Sequence, residues 1–365
     1  MKKLFFVGVI ISSNLFSFAQ TDSTSVLGSA MNQATMDSLG LINPKITQLY
    51  NLGVNALNSN NNIEAIKKFT EVILMDSKNT MATFNRGVAF KNLKKYEEAV
   101  NDFSRTIELD SNHSNAFYMK GMSYFENQNY ELAVSSLKSV NQIDSTNEKA
   151  AYYEGVSYFQ MESYDDAITA FNKAIAIKSD YAYAYNDRGS AKLKQEKIEE
   201  AIKDYKFAIN LDKKLSFAYN NLASAYRKKG DFKTANIYYN EAIKYKQDYY
   251  VAYNNRGTAK FEKGDFTGAI SDFKKAISIH PKYAFAYNNK ATVYIKLEQY
   301  QQAVDACNKA LEFQPKYMEA FFNRGIAKEM LKDLHGACAD WEDAFSLGSE
   351  NAEKYLNSPV CSGLK

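Results

Sequence analysis

Shifted against itself by 34 residues, the sequence aligns from Ile46 to Asn351 without an insertion or a deletion. A fixed period of that length means that one small unit is repeated, and that no unit can bury its apolar face alone. The blocks are 46–79, 80–113, 114–147, 148–181, 182–215, 216–249, 250–283, 284–317 and 318–351. Position 8 of the block is Gly53, Gly87, Gly121, Gly155, Gly189, Gly257 and Gly325, and Ala223 and Ala291 in the other two. Position 20 is alanine throughout, from Ala65 to Ala337. Position 24 is Phe69, Phe103, Leu137, Phe171, Tyr205, Tyr239, Phe273 and Trp341, with Cys307 in the eighth block.

Helices approach closely only where their side chains are small, so positions 8 and 20 mark a crossing within each block. Position 24 supplies the ring that fills the space beside it. Asp-Ser at 76–77, 110–111 and 144–145, with Pro281 and Pro315, stops the second helix, and Gly264-Asp265 marks a hairpin turn. The pattern predicts an all-α chain of nine helix-turn-helix units stacked in line.

This spacing resembles the tetratricopeptide repeat, in which position 27 is also small; here it is Val72, Thr106, Val140, Ala174, Ala208, Ala242, Ala276, Ala310 and Ala344. Block three fits least well, with Met119, Leu137 and Val140. The resemblance implies a right-handed α-solenoid whose concave groove is lined by the first helix of each hairpin. Residues 352–365 carry Ala352, Tyr355 and Leu356 at helical spacing and are expected to cap the last hairpin.

Members of that family usually bind partners through positions 2, 5, 9 and 12, on one face of the first helix. Position 5 reads Tyr50, Phe84, Tyr118, Tyr152, then Asn186, Asn220, Asn254, Asn288, then Phe322. Position 9 turns polar in the same blocks, with Ser190, Ser224, Thr258 and Thr292. The expected groove is therefore apolar over blocks one to four and polar over five to eight. Position 6 adds Asn51, Asn85, Asn221, Asn255, Asn289 and Asn323, with Asp187 in block five. Amides donate and accept, so such a column suits the backbone of an extended peptide. It resembles the asparagine ladder of O-linked N-acetylglucosamine transferase; the other reading is that these amides solvate the groove or bond locally. Tyr183, Phe217, Val251 and Phe285 at position 2 would flank the lane, or pack on the neighbouring hairpin. Asn220, Asn254 and Asn288 are expected to be exposed. No block pairs Lys at position 5 with Asn at position 9, so the dicarboxylate clamp for chaperone tails is excluded.

Arginine stands at position 7 in four blocks, and those same blocks carry aspartate at position 23: Arg86 with Asp102, Arg188 with Asp204, Arg256 with Asp272, Arg324 with Asp340. A pair bridging the two helices of one hairpin is the expectation, with a row of cations for an anionic ligand the weaker alternative.

The remaining chemistry is sparse. His113, His280 and His335 fall at turns with no second ligand at metal spacing, and no phosphate loop or nucleophile motif occurs, so neither a metal, a cofactor nor catalysis is expected. The net charge of +3 lacks the footprint of a nucleic-acid binder. Lys2 and Lys3, the apolar run Leu4 to Phe16 and the small residues of Ser17-Phe18-Ala19 resemble an export signal over 1–19. At about 13 residues the run is too short for the ~20 of a spanning helix. A flexible leader is expected over 20–45, and the mature chain is expected to be soluble in the periplasm or secreted. In such a compartment Cys338 and Cys361 could bridge, as the Gly336-Ala337-Cys338 run with a later cysteine resembles terminal repeats of other envelope proteins; two separate thiols are the alternative. Cys307 is expected to be a buried thiol. The function expected is a scaffold gripping an extended protein segment, against a structural component of an envelope assembly or, more weakly, a glycan binder.

Overall fold

The computed structural model describes residues 43–362. The expected signal and nearly all of the expected leader lie outside them. The leader's last residues belong to the first helix instead, because the Asn43 side chain accepts from Lys45 N at 3.0 Å and Pro44 occupies the first turn, where its missing N–H costs nothing.

Helices alternate along the chain: α1 Pro44–Asn58, α2 Asn62–Met75, α3 Thr80–Asn92, α4 Tyr96–Leu109, α5 Ser114–Glu126, α6 Tyr130–Ile143, α7 Glu148–Gln160, α8 Tyr164–Ile177 and α9 Ala182–Lys194. They continue as α10 Ile198–Leu211, α11 Ser216–Lys228, α12 Phe232–Tyr245, α13 Tyr250–Glu262, α14 Phe266–Ile279, α15 Ala284–Lys296, α16 Tyr300–Phe313, α17 Met318–Met330 and α18 Leu334–Ser346. Two short helices follow, α19 Glu350–Leu356 and α20 Pro359–Ser362. Residues 43–196 and 197–362 form two compact units. In each, successive helices pack as antiparallel hairpins, and the second helix of one hairpin packs on the first helix of the next.

The turn inside each hairpin has one recurring device. Position 15 takes a positive φ, between 57° and 90°, in Asn60, Lys94, Gln128, Glu162, Glu196, Gly230, Gly264, Glu298 and Lys332. Only two of these are glycine, so the other seven hold a left-handed conformation against a penalty of roughly 1 kcal/mol. The reverse turn is closed by backbone bonds of the type Asp231 N to Tyr226 O and Asp265 N to Lys260 O. Between hairpins, Asp76, Asp110, Asp144 and Asp212 each accept from the backbone N–H two residues on, at 2.9–3.1 Å, which ends the second helix.

The core follows the small-and-large columns. All nine alanines of position 20 and all nine residues of position 24 are fully buried. A Cβ placed on Gly53 would stand 2.6 Å from the Phe69 ring, and one on Gly155 or Gly257 would stand 2.7 Å from Phe171 or Phe273. Position 8 is small because the ring of position 24 lies against its backbone, and each ring so buried contributes ~1.5–3 kcal/mol.

The C-terminal cover is two helices rather than one. Pro359 has no N–H to continue α19 and disfavours helical backbone before it, so the chain breaks at Asn357–Ser358. Tyr355 packs on Trp341 at 4.6 Å and on Phe322 at 5.3 Å. A disulfide joins Cys338 of α18 to Cys361 of α20. Cys307 is a buried free thiol, held well above the usual range by burial.

Candidate interaction surface

The polar columns of the first helices do not form an open floor. Asn220, Asn254 and Asn288 are 0–3 % exposed, as are Asn221, Asn255, Asn289 and Asn323. They bond to each other in a register of 35 residues: Asn255 Nδ2 donates to Asn220 Oδ1 at 3.1 Å, Asn289 to Asn254 at 3.0 Å, and Asn323 to Asn288 at 2.9 Å. In these three hairpins position 6 thus donates to position 5 of the one before. First helices of neighbouring hairpins lie too close for a peptide to pass between them, and a buried amide must find its partner inside. The hydroxyls of position 9 are buried too. Ser190, Ser224, Thr258 and Thr292 each donate to the carbonyl four residues back in their own helix, at 2.9–3.2 Å. The expected exposure of Asn220, Asn254 and Asn288 is corrected on this ground.

The expected apolar half is corrected likewise. Tyr50, Phe84, Tyr118 and Tyr152 are buried, and their rings lie 5.6–5.8 Å from the position-24 rings Phe69, Phe103 and Phe171 for the first, second and fourth. They are core. The amide rung also begins here, with Asn85 Nδ2 donating to Tyr50 OH at 2.8 Å. At Asp187 the direction reverses: Tyr152 OH donates to Oδ2 at 2.6 Å and Asn186 Nδ2 to Oδ1 at 2.8 Å. Burial of this carboxyl raises its pKa to about 7, against the lowering effect of both hydrogen bonds.

What the first helices leave partly open is position 2 and the end of the helix. Tyr183, Phe217 and Phe285 are half-buried while Val251 is buried. Phe285 rests on Tyr283 at 5.5 Å and on Tyr317 at 5.3 Å. At the far end, position 12 pairs with position 13 of the next hairpin, in Lys91 with Glu126 at 2.6 Å and in Arg227 with Glu262.

Arg86, Arg256 and Arg324 each grip an aspartate of their own hairpin with two parallel bonds, to Asp102, Asp272 and Asp340 at 2.6–2.9 Å. The third nitrogen reaches back to position 25 of the preceding hairpin: Arg86 to Thr70, Arg256 to Asn240, Arg324 to Asn308, and Arg188 to Asn172, at 2.6–3.2 Å. Arg188 stands in the first unit and Asp204 in the second. Lys260 and Lys328 of position 11 add an ion pair to Asp272 and Asp340, both at 2.9 Å.

From block four onward this junction alternates with a period of two repeats. Blocks five, seven and nine have Arg at 7, Lys at 11 and Asp at 23, opposite Asn of the preceding block. Blocks four, six and eight have Tyr158, Tyr226 and Tyr294 at 11, opposite Lys138, Lys206 and Lys274. Lys138 and Lys206 sit 5.3 and 5.6 Å above the Tyr158 and Tyr226 rings.

Among the described residues no group of three or more His, Cys, Asp or Glu could hold a metal ion, and no helix is long and apolar enough to cross a membrane.

Comparison with protein families matches tetratricopeptide-repeat profiles to residues 50–113, 155–196, 189–230, 218–249, 250–283 and 284–317. The profile of anaphase-promoting complex, cyclosome, subunit 3 matches 92–174. Together they run unbroken from residue 50 to residue 317. No curated protein matches the sequence. Among solved structures, the APC/C hetero-tetramer Cut9-Hcn1 is similar over 91 % of this chain and 79 % of that one, at 15 % identity and a TM-score of 0.55, which shows the fold. MamA from residue 41 to its end, from Desulfovibrio magneticus RS-1, is 22 % identical over 48 % of this chain and 98 % of that one, with a TM-score of 0.46. YrrB, described as a tetratricopeptide protein with an unusual peptide-binding site, is 20 % identical over 50 % of this chain and 95 % of its own, with a TM-score of 0.44. Helix pairs repeating every 34 residues, the small crossing residues and the unbroken run of profile matches make this chain an α-solenoid of the tetratricopeptide-repeat family.

Proposed function

We propose that the chain is a non-catalytic scaffold that holds an extended segment of another protein along its first helices. The observation that carries this reading is the division of labour on α11, α13 and α15. Their amides at positions 5 and 6 bond from one hairpin to the next, which ties the hairpins together, while Phe217 and Phe285 stay half-exposed on the first helices. Half-open rings on a rigid backing lose little freedom on binding, which favours them as anchors. The family membership supports the same reading, as stacked hairpins create extended binding surfaces.

We further propose that the chain works outside the cytoplasm, a reading supported by the basic and apolar start of the sequence and by the Cys338–Cys361 disulfide.

Affinity capture tests the scaffold reading. Bait lacking residues 1–19 is compared with Phe217→Ala/Phe285→Ala in an extract of the source cells. A protein held by the first and lost by the folded second supports it; identical retained sets overturn it. Alanine at Asn220, Asn254 or Asn288 is unsuitable, as each would strand a buried amide on the neighbouring hairpin.

A second reading, assembly through the second helices, has one observation behind it: Ile63 and Leu74 of α2 are 74 % and 82 % exposed. Positions 18 and 29 are polar or small in the other blocks. Ile63→Lys/Leu74→Lys should then convert a larger species in solution to a smaller one, and an unchanged size excludes this reading.

A further inference from the structure

The alternating junction leaves one place where charge does not balance. In block eight, position 7 is Lys290, position 23 is Ala306 in place of an aspartate, and the facing residue of the preceding hairpin is Lys274 in place of an asparagine. The arginines of this row in residues 197–362 have acceptors: Arg256 and Arg324 have their aspartates and asparagines. Lys206 lies 5.6 Å over the Tyr226 ring, with no second cation facing it at position 7, which is Leu222. Among the described residues neither Lys274 nor Lys290 is ion-paired. The Lys290 ammonium instead lies 5.5 Å from the centre of the Tyr287 ring and 5.9 Å from that of Tyr294. It is half-buried, and its affinity for the proton is lowered first by burial and then by Lys274. A half-buried Lys290 ammonium between two tyrosine rings, disfavoured by the exposed Lys274, forms a site short of one anion.

The surroundings point to an acidic occupant. Residues 197–362 carry 25 Lys and Arg against 21 Asp and Glu, a net +4, whereas residues 43–196 carry 17 against 19. Blocks seven and nine show which anion the junction accepts: a carboxylate held by two cations, as Asp272 is by Arg256 and Lys260 and Asp340 by Arg324 and Lys328. Block eight keeps two cations and lacks the carboxylate.

We propose that Lys274 and Lys290 form a docking point for an Asp or Glu side chain of a bound protein, so that the partner completes from outside the ion-pair cluster that blocks seven and nine complete from within. This rests on the reading of the chain as a scaffold and adds to it that the partner's segment is acidic.

The probe is a peptide of eight glutamates, titrated calorimetrically into the full chain at low salt, with inorganic phosphate as the small-anion arm. Binding that falls at least tenfold in Lys274→Gln/Lys290→Met, and stays within twofold in the control Lys213→Gln/Lys246→Gln, supports the site. Ala306→Asp supplies the missing carboxylate from within and should depress peptide binding in the same way while leaving the two lysines in place. Equal losses in control and test variants would mean attraction by net charge alone and overturn the proposal. Phosphate competing at the peptide's own concentration would make this a small-anion site and overturn it as well, as would no binding at all. A partner captured through Phe217 and Phe285 but indifferent to the lysine changes would sink this proposal and spare the scaffold reading.

Discussion

Asp187 makes residues 43–196 more stable in mild acid than at neutral pH. Its carboxyl is 5 % exposed and accepts from Tyr152 OH and Asn186 Nδ2. Both bonds favour the ionised form, yet desolvation outweighs them and raises the pKa to about 7. In the unfolded chain an aspartate titrates near ~3.9. Between these values the folded protein binds a proton that the unfolded chain does not, so stability must fall as pH rises through this window. The contribution is fully present below about pH 4 and lost above about pH 7, and a shift of ~3 units corresponds to roughly 4 kcal/mol. Asp187→Asn removes the titration and keeps an acceptor for Tyr152. Its new Nδ2 faces that of Asn186, which must turn its amide over, at a cost of about 1 kcal/mol. Urea unfolding followed by circular dichroism at pH 5, 6, 7 and 8 is the assay. Wild type minus variant should be near zero or slightly positive at pH 5 and should become negative by roughly 2–3 kcal/mol at pH 8. Taking the difference cancels other groups such as Glu154, whose pKa burial also raises. Parallel curves for the two proteins would refute the argument, because a group that ionises alike in both states cannot tilt stability.

Other consequences are open to the same kind of measurement. Asp272→Ala strands Arg256 and Lys260 and should cost roughly 3–5 kcal/mol; adding Arg256→Leu should recover most of it, and equal losses in both variants would exclude the clasp as their cause. Gly257→Ala drives a methyl into the Phe273 ring and should cost ~1–3 kcal/mol, with Phe273→Leu relieving part of it; strict additivity would mean that the two positions do not meet. Glu298→Gly, at a φ of 61°, should raise stability by ~0.5–1 kcal/mol, and a loss would mean that the Glu298 side chain matters more than its backbone. Reducing the Cys338–Cys361 bond, which closes 23 residues, should lower stability by about 3 kcal/mol, with Trp341 fluorescence as the local reporter.

The hairpins were legible because a steric rule wrote them in single letters. Only glycine or alanine tolerates a ring against its backbone, so Gly257 and Phe273 declare their contact through their types alone. The Arg–Asp pairing was legible through co-occurrence, yet its third member was missed although the signal was there: Thr70, Asn172, Asn240 and Asn308 precede the four arginine blocks. The asparagine columns misled for a different reason. An amide suits water, a peptide or another amide equally, so residue type does not reveal whether Asn254 faces outward. Its partner stands 35 residues away rather than 34, a register that comparison of equal positions passes over. Asp187 escaped notice in the same way, as one carboxylate in an amide column reads as a neutral exchange until its burial is known.

The two-repeat alternation bears on how such an array can change length. Excising residues 250–317 brings Arg324 opposite Asn240, which is the junction Arg256 already makes, and sets Asn323 beside Asn220 as Asn255 now stands. Excising 284–317 alone sets Arg324 against Lys274, cation against cation. Lengthening or shortening that leaves every seam intact therefore proceeds in steps of two, so the true module of this region, as a unit of inheritance and of protein engineering, is the four-helix pair rather than the single hairpin.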